Sequence, residues 1–178
     1  MSVYSDYASL ELIKQPQMIL LKSHGINQHA FTYPECLHMA RGFCSSTGYF
    51  DAGESGDVHF AFLSRNKFGD EIDIVYWNPK TGDLTTEYNR AFALGEEQIG
   101  SPWLCANSGR LKVHPSPWEW LINGKKGIVI VREEIAFDNL RYIPKLCVKE
   151  TSFGERIEKM IQPRSMPKIF VSIQEEAA

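Results

Sequence analysis

The side chains able to do chemistry are scattered, and only a few stand at usable spacings. Asp70, Glu71 and Asp73 lie before and on one extended stretch, with Glu71 and Asp73 sharing a face by alternation. Two carboxylates on one face can hold a divalent metal, as nuclease and phosphoryl-transfer sites require. His59 is the candidate general base for such a site, because an imidazole titrates near neutral pH. His114 is a second histidine at a strand, with Cys105 or Ser116 as the nucleophile such a base would serve. The plainer account is a solvated acidic face and two histidines bonded to backbone groups.

A different chemistry is offered by Arg110, Lys112, Lys125 and Lys126, interleaved with Trp118 and Trp120. Cations hold phosphates while an aromatic ring stacks on a base or anchors a partner. Trp118 and Trp120 are two residues apart on an expected helix, so they face different directions. One is expected to be buried and the other at least partly exposed. The competing view is that both fill a helix packed on two sides.

The strong motifs are missing. No G-x-x-x-x-G-K-[ST], G-x-G-x-x-G, H-E-x-x-H or EF-hand loop occurs, and Gly53-Glu54-Ser55-Gly56 misses the nucleophile elbow by one place. No cofactor is therefore called for. Cys36, His38, Cys44 and His29 form the one local group of metal-capable side chains. On a single helix Cys36 and Cys44 would stand about 12 Å apart, too far to share a zinc ion. No metal site is expected there.

The charge is uneven. Residues 50–98 carry ten acids against four bases, and residues 99–149 carry eight bases against four acids, within a net charge of −3. Either the chain has two binding faces, one suited to phosphate, or the two stretches attract each other within the fold.

The elements that must position these groups follow from periodicity and turn chemistry. A chain of 178 residues, 43% hydrophobic and 23% charged, is expected to form one globular domain. Residues 1–16 read as weakly structured, and an apolar run follows at Gln17–Leu21. Thr32 and Pro34 suggest a short helix over residues 33–43. Residues 57–63 and 71–77 read as strands. The stretch Asn78-Pro79-Lys80-Thr81-Gly82-Asp83 then turns the second back into Leu84–Glu87. In the second half, residues 111–114, 126–131 and 146–149 read as strands separated by helices. The first helix opens at a capping box, Ser116-Pro117-Trp118-Glu119, and ends at Asn123-Gly124. The second covers residues 132–142. A second capping box at Ser152 and Glu155 opens a helix with the stripe Phe153, Ile157, Met160 and Ile161. Residues 168–173 read as a last strand. The fold class expected is α/β or α+β, a mixed sheet with an antiparallel hairpin in the first half and strand–helix alternation in the second.

No apolar run approaches the roughly 20 residues that span a bilayer, so no membrane segment is expected. The start, MSVYSDYASLEL, lacks the basic and apolar regions of a secretory signal, and no C-x-x-C pair occurs among Cys36, Cys44, Cys105 and Cys147. A reducing cytoplasm is the expected compartment.

Residues 91–97 (AFALGEE), 111–121 (LKVHPSPWEWL) and 127–131 (GIVIV), with the hairpin over 73–82, resemble small uncharacterised proteins of bacterial plasmids, prophages and integrative elements. The resemblance covers about residues 57–173 and carries no catalytic residue. It implies a bacterial protein serving a mobile element. The first reading is thus an accessory, non-catalytic protein that binds a macromolecule, either nucleic acid or a protein partner, through Arg110, Lys112, Lys125, Lys126 and Trp118 or Trp120. The rival is a small metal-dependent nuclease or hydrolase using Asp70, Glu71, Asp73 and His59. A third is a self-associating domain whose exposed tryptophan completes a homodimer.

Overall fold

A computed structural model of the chain describes residues 2–45, 48–99, 101 and 109–162. Two sheets divide these residues, an antiparallel one from the first half and a mixed one from the second. The first contains β1 (Glu11–Leu12), β2 (His38–Cys44), β3 (Phe50–Ala52), β4 (Asp57–Arg65), β5 (Glu71–Trp77) and β6 (Leu84–Thr86). Its order is β1-β2-β4-β5-β6, and β3 pairs with the C-terminal part of β2. The second contains β7 (Ala93–Leu94), β8 (Arg110–His114), β9 (Ile128–Ile130) and β10 (Lys145–Cys147), in the order β10-β8-β9-β7. There β8 runs parallel to both β9 and β10, while β7 is antiparallel to β9.

The hairpin forms as its turn residues require. The Asn78 N–H donates to the Asp83 carbonyl and the Gly82 N–H to the Asn78 carbonyl, each at 2.9 Å. Gly82 takes φ = 86°, a conformation that costs an L-residue a Cβ clash. The strand–helix alternation is also present. Helix α4 (Pro117–Ile122) joins β8 to β9, and α5 (Ala136–Leu140), preceded by a 3-10 turn, joins β9 to β10. Helix α6 (Thr151–Met160) follows. Proline opens α4 where a missing N–H costs nothing, although the Ser116 side chain makes no cap bond. Ser152 lies inside α6, so the second capping box does not form either.

Two readings of the first half change. Residues 33–43 do not form a helix. Helix α3 (Gln28–Thr32) ends where that helix was expected to begin, and β2 follows. Leu37–Arg41 are good helix formers, but β2 is paired along both edges, by β4 on one side and by β1 and β3 on the other. Tertiary pairing overrides local propensity at that position. The N-terminal segment, read as weakly structured, carries α1 (Val3–Ser9), capped by the Ser2 hydroxyl and holding Tyr7 in the core. The strand read at residues 168–173 lies outside the described residues.

Three apolar clusters hold these layers. One face of the first sheet (Phe60, Phe62, Val75, Trp77) packs against α2 (Gln15–Ser23), α3 and α4, and against Leu94 and Val129 of the second sheet. Its other face (Ala61, Ile74, Tyr76) is covered by α1 through Tyr7. The remaining face of the second sheet (Leu111, Val113, Ile128) is covered by Ala136, Leu140 and Ile157 of α5 and α6. No described helix is long and apolar enough to cross a membrane.

Gly127 is the joint between α4, β9 and the 3-10 turn Glu96–Gln98. The Gln98 side chain donates to the Gly127 carbonyl at 3.1 Å and accepts from its N–H at 2.8 Å. The Trp120 indole N–H donates to the same carbonyl at 2.8 Å. With φ = 93° and only 2.5 Å between a built Cβ and the Lys112 carbonyl oxygen, the position admits no side chain. Gly127→Ala is expected to lower folding stability by about 2 kcal/mol or more. Urea denaturation followed by tryptophan fluorescence checks this, and a change within about 0.5 kcal/mol counts against the joint.

Candidate nucleic-acid interface

The acids and histidines of the expected metal site are not brought together. Asp73 is fully buried, and its two carboxylate oxygens accept from the N–H groups of Ile74, Tyr88, Arg90 and Ala91 at 2.7–2.9 Å. Glu71 pairs with Arg65, which also pairs with Glu35, and Asp70 accepts from the Asn66 amide in its own turn. His59 is buried on β4, where its Nδ1 donates to the Asp57 carbonyl at 3.0 Å and its Nε2 lies 3.7 Å from the Cys44 Sγ. Burial pushes the Cys44 thiol up, away from the thiolate a nucleophile needs. His114 belongs to the second sheet, and its Nε2 donates to the Lys126 carbonyl at 2.9 Å. Among the described residues no three His, Cys, Asp or Glu side chains converge as a metal site. Of the two expected nucleophiles, Cys105 and Ser116, Cys105 lies outside the described residues.

The two tryptophans behave as their spacing predicts, yet neither offers a free ring. Trp120 is 5% exposed, with its edge against Phe62 and its N–H bonded to Gly127. Trp118 is half-buried; one ring face stacks on His24 at 4.1 Å, and it meets Trp77 edge-on at 4.6 Å. The expected aromatic anchor is therefore committed to packing, because α4 is enclosed by α2 and the first sheet as well as by β9.

The basic residues separate into two groups. Lys125 turns across the seam between the sheets, where its ammonium donates to the Tyr33 carbonyl at 3.2 Å. Arg110 and Lys112 are exposed and alternate with the buried Leu111 and Val113 on β8. The parallel register sets Lys145 beside Arg110 and Cys147 beside Lys112. Lys149, two residues past Cys147, lines a shallow groove with Lys112 against Glu119 and Asn123 of α4. Lys126 is exposed on the turn that leads into β9. One face of the β8–β10 edge thus carries Arg110, Lys112, Lys145 and Lys149.

Like charges directly opposite on a sheet are unfavourable, and Arg110 against Lys145 is such a pair. None of the four makes an ion pair with a described residue. No ion pair among the described residues joins the acidic stretch 50–98 to the basic stretch 99–149, so direct pairing does not consume the charge asymmetry. Cations at alternate residues of neighbouring strands stand about 6.6 Å apart along a strand and about 4.8 Å across. Such a patch is suited to several anionic groups on one flexible or regular chain.

Sequence reading found half of this face. Alternation marks Arg110 and Lys112, and the same alternation marks Lys145 and Lys149 around the apolar Leu146 and Val148. What it lacked was the parallel pairing of β8 with β10, which joins the two halves.

Together the elements define a two-sheet α+β protein with one basic sheet face. No family profile, curated protein or solved structure gives a significant match to the chain.

Proposed function

We propose that the chain is an accessory protein that binds nucleic acid through the β8–β10 face, with Arg110, Lys112, Lys145 and Lys149 on phosphates. The observation that carries the reading is the register that sets Arg110 beside Lys145, neither of them in an ion pair with a described residue. A tolerated repulsion is accounted for when an external polyanion relieves it. Phosphate contacts of this kind confer affinity without reading sequence. With Trp118 and Trp120 engaged in packing, neither is free to stack on a base at this face.

Fluorescence anisotropy with labelled single- and double-stranded oligonucleotides tests the reading. The double variant Lys112→Glu/Lys145→Glu is expected to weaken binding by about tenfold or more, equally across sequences. Lys22→Glu, an exposed charge on α2, is expected to leave it unchanged. No binding by the wild type, or equal binding by the double variant, overturns the reading. Capture of an acidic protein in place of nucleic acid turns the same face into a protein interface.

A further inference from the structure

A cavity of about 270 Å³ opens at the seam between the two sheets, away from the groove beside Lys149. Leu37, Phe62 and Trp120 form its apolar side, and Glu35, Arg65, Glu97 and Lys125 supply its charges. Two of these four pair with each other. The Arg65 guanidinium is held by Glu35 and by Glu71, leaving Lys125 and Glu97 as one cation and one anion.

Lys125 is placed there with unusual care. It takes φ = 61°, a conformation that only a few per cent of non-glycine residues adopt. Its N–H donates to the Trp120 carbonyl at 2.9 Å, and its own carbonyl accepts from the Gln98 side chain at 2.8 Å. Its ammonium has three donors, of which the Tyr33 carbonyl takes one. Glu97 stands at the rim on the 3-10 turn that Gln98 fastens to the same loop, and it pairs with no described cation. Desolvation pushes Lys125 below the usual lysine range and Glu97 above the usual carboxylate range. Opposite charges act on both across the cavity, Glu35 and Glu97 on Lys125 and Arg65 and Lys125 on Glu97, yet neither group is closed into an ion pair among the described residues.

We propose that this cavity binds a small zwitterion, a free L-α-amino acid with an apolar side chain. The ligand's carboxylate accepts from the Lys125 ammonium, its ammonium donates to the Glu97 carboxylate, and its side chain lies against Leu37, Phe62 and Trp120. A ligand of one charge would satisfy only half of the site. The volume falls just under the roughly 300–1,000 Å³ of pockets for drug-sized ligands, which suits a smaller molecule.

The test is titration calorimetry and thermal melting of the full chain with each standard L-amino acid in turn. The amine lacking the carboxylate and the N-acetyl form lacking the ammonium serve as one-charge probes. At least one apolar amino acid is expected to raise the melting temperature and to bind about tenfold or more tighter than either probe. Glu97→Gln is expected to weaken the amino acid by a similar factor while leaving the N-acetyl form unaffected. Lys125→Gly removes the ammonium and relieves the left-handed backbone, so the free variant is expected to melt no lower than wild type yet fail to respond to the amino acid. Lys125→Met is a second route to the same loss. The proposal is overturned if no amino acid binds, if the one-charge probes bind as tightly, or if the variants retain wild-type affinity.

Discussion

Replacing Asp73 with alanine is expected to lower folding stability by about 4–6 kcal/mol, a large share of the roughly 5–15 kcal/mol that holds an ordinary domain. The carboxylate is fully buried and accepts from four backbone N–H groups, of Ile74, Tyr88, Arg90 and Ala91. An N–H left buried without a partner costs about 1–3 kcal/mol, in full for Ile74 and Ala91 and in part for Tyr88 and Arg90, whose bonds are half-buried. Three of the four belong to residues 88–91, the stretch that carries the chain from β6 in the first sheet to β7 in the second. Asp73 therefore seats one sheet on the other. Asp73→Asn keeps the shape but turns one acceptor into a donor facing two N–H groups, so it is expected to lose most of the same stability. Urea denaturation of both variants, with the slope compared to wild type, decides the matter. A loss below about 1 kcal/mol for the alanine variant would show that the four bonds contribute little.

The same residue shows where sequence reading stops. Alternation placed Asp73 with Glu71 on a face of β5 and left that face to solvent or to a metal. That inference needs a strand with one wet side. Both sides of β5 are covered, one by α1 over Ile74 and Tyr76, the other by the second sheet and its helices over Val75 and Trp77. What covers a strand is decided by segments far along the chain, and no local pattern records it. The elements that were legible carry their own instructions. Asn78, Pro79 and Gly82 specify the turn between β5 and β6 from within six residues. Pro117 and Gly124 bracket α4, and the Phe153–Ile157–Met160 stripe announces the buried side of α6. Strand β2 fails for the opposite reason, because Met39, Ala40 and Arg41 prefer a helix and its partners on both edges make it extended. The candidate sites divide in the same way. Arg110 and Lys112 are visible as alternating cations, whereas their adjacency to Lys145 crosses 35 residues and depends on the parallel pairing of β8 with β10. The seam cavity draws on five separate stretches of chain, so Glu35 and Glu97 carry no sequence signal that marks them.

Salt is expected to act strongly on binding at the basic face. Four cations on phosphates release four counterions, giving a slope of roughly −3.6 in log affinity against log salt for a duplex and about −2.8 for a single strand. Raising monovalent salt from about 50 to about 200 mM then weakens duplex binding roughly 150-fold and single-strand binding roughly 50-fold. The difference between the two slopes reports which form the face accommodates. Lys112→Glu/Lys145→Glu removes two of the contacts, so its duplex slope is expected to fall to about −1.8 or shallower. Lys125→Met leaves all four cations in place, because Lys125 faces the seam. Its slope is expected to match wild type, which separates the basic face from the cavity in one series. Anisotropy titrations at four or more salt concentrations supply every slope. If wild-type binding has a slope flatter than about −1, or if the double variant keeps the wild-type slope, the phosphates are held elsewhere. A Lys125→Met slope as shallow as that of the double variant would instead extend the interface across the seam.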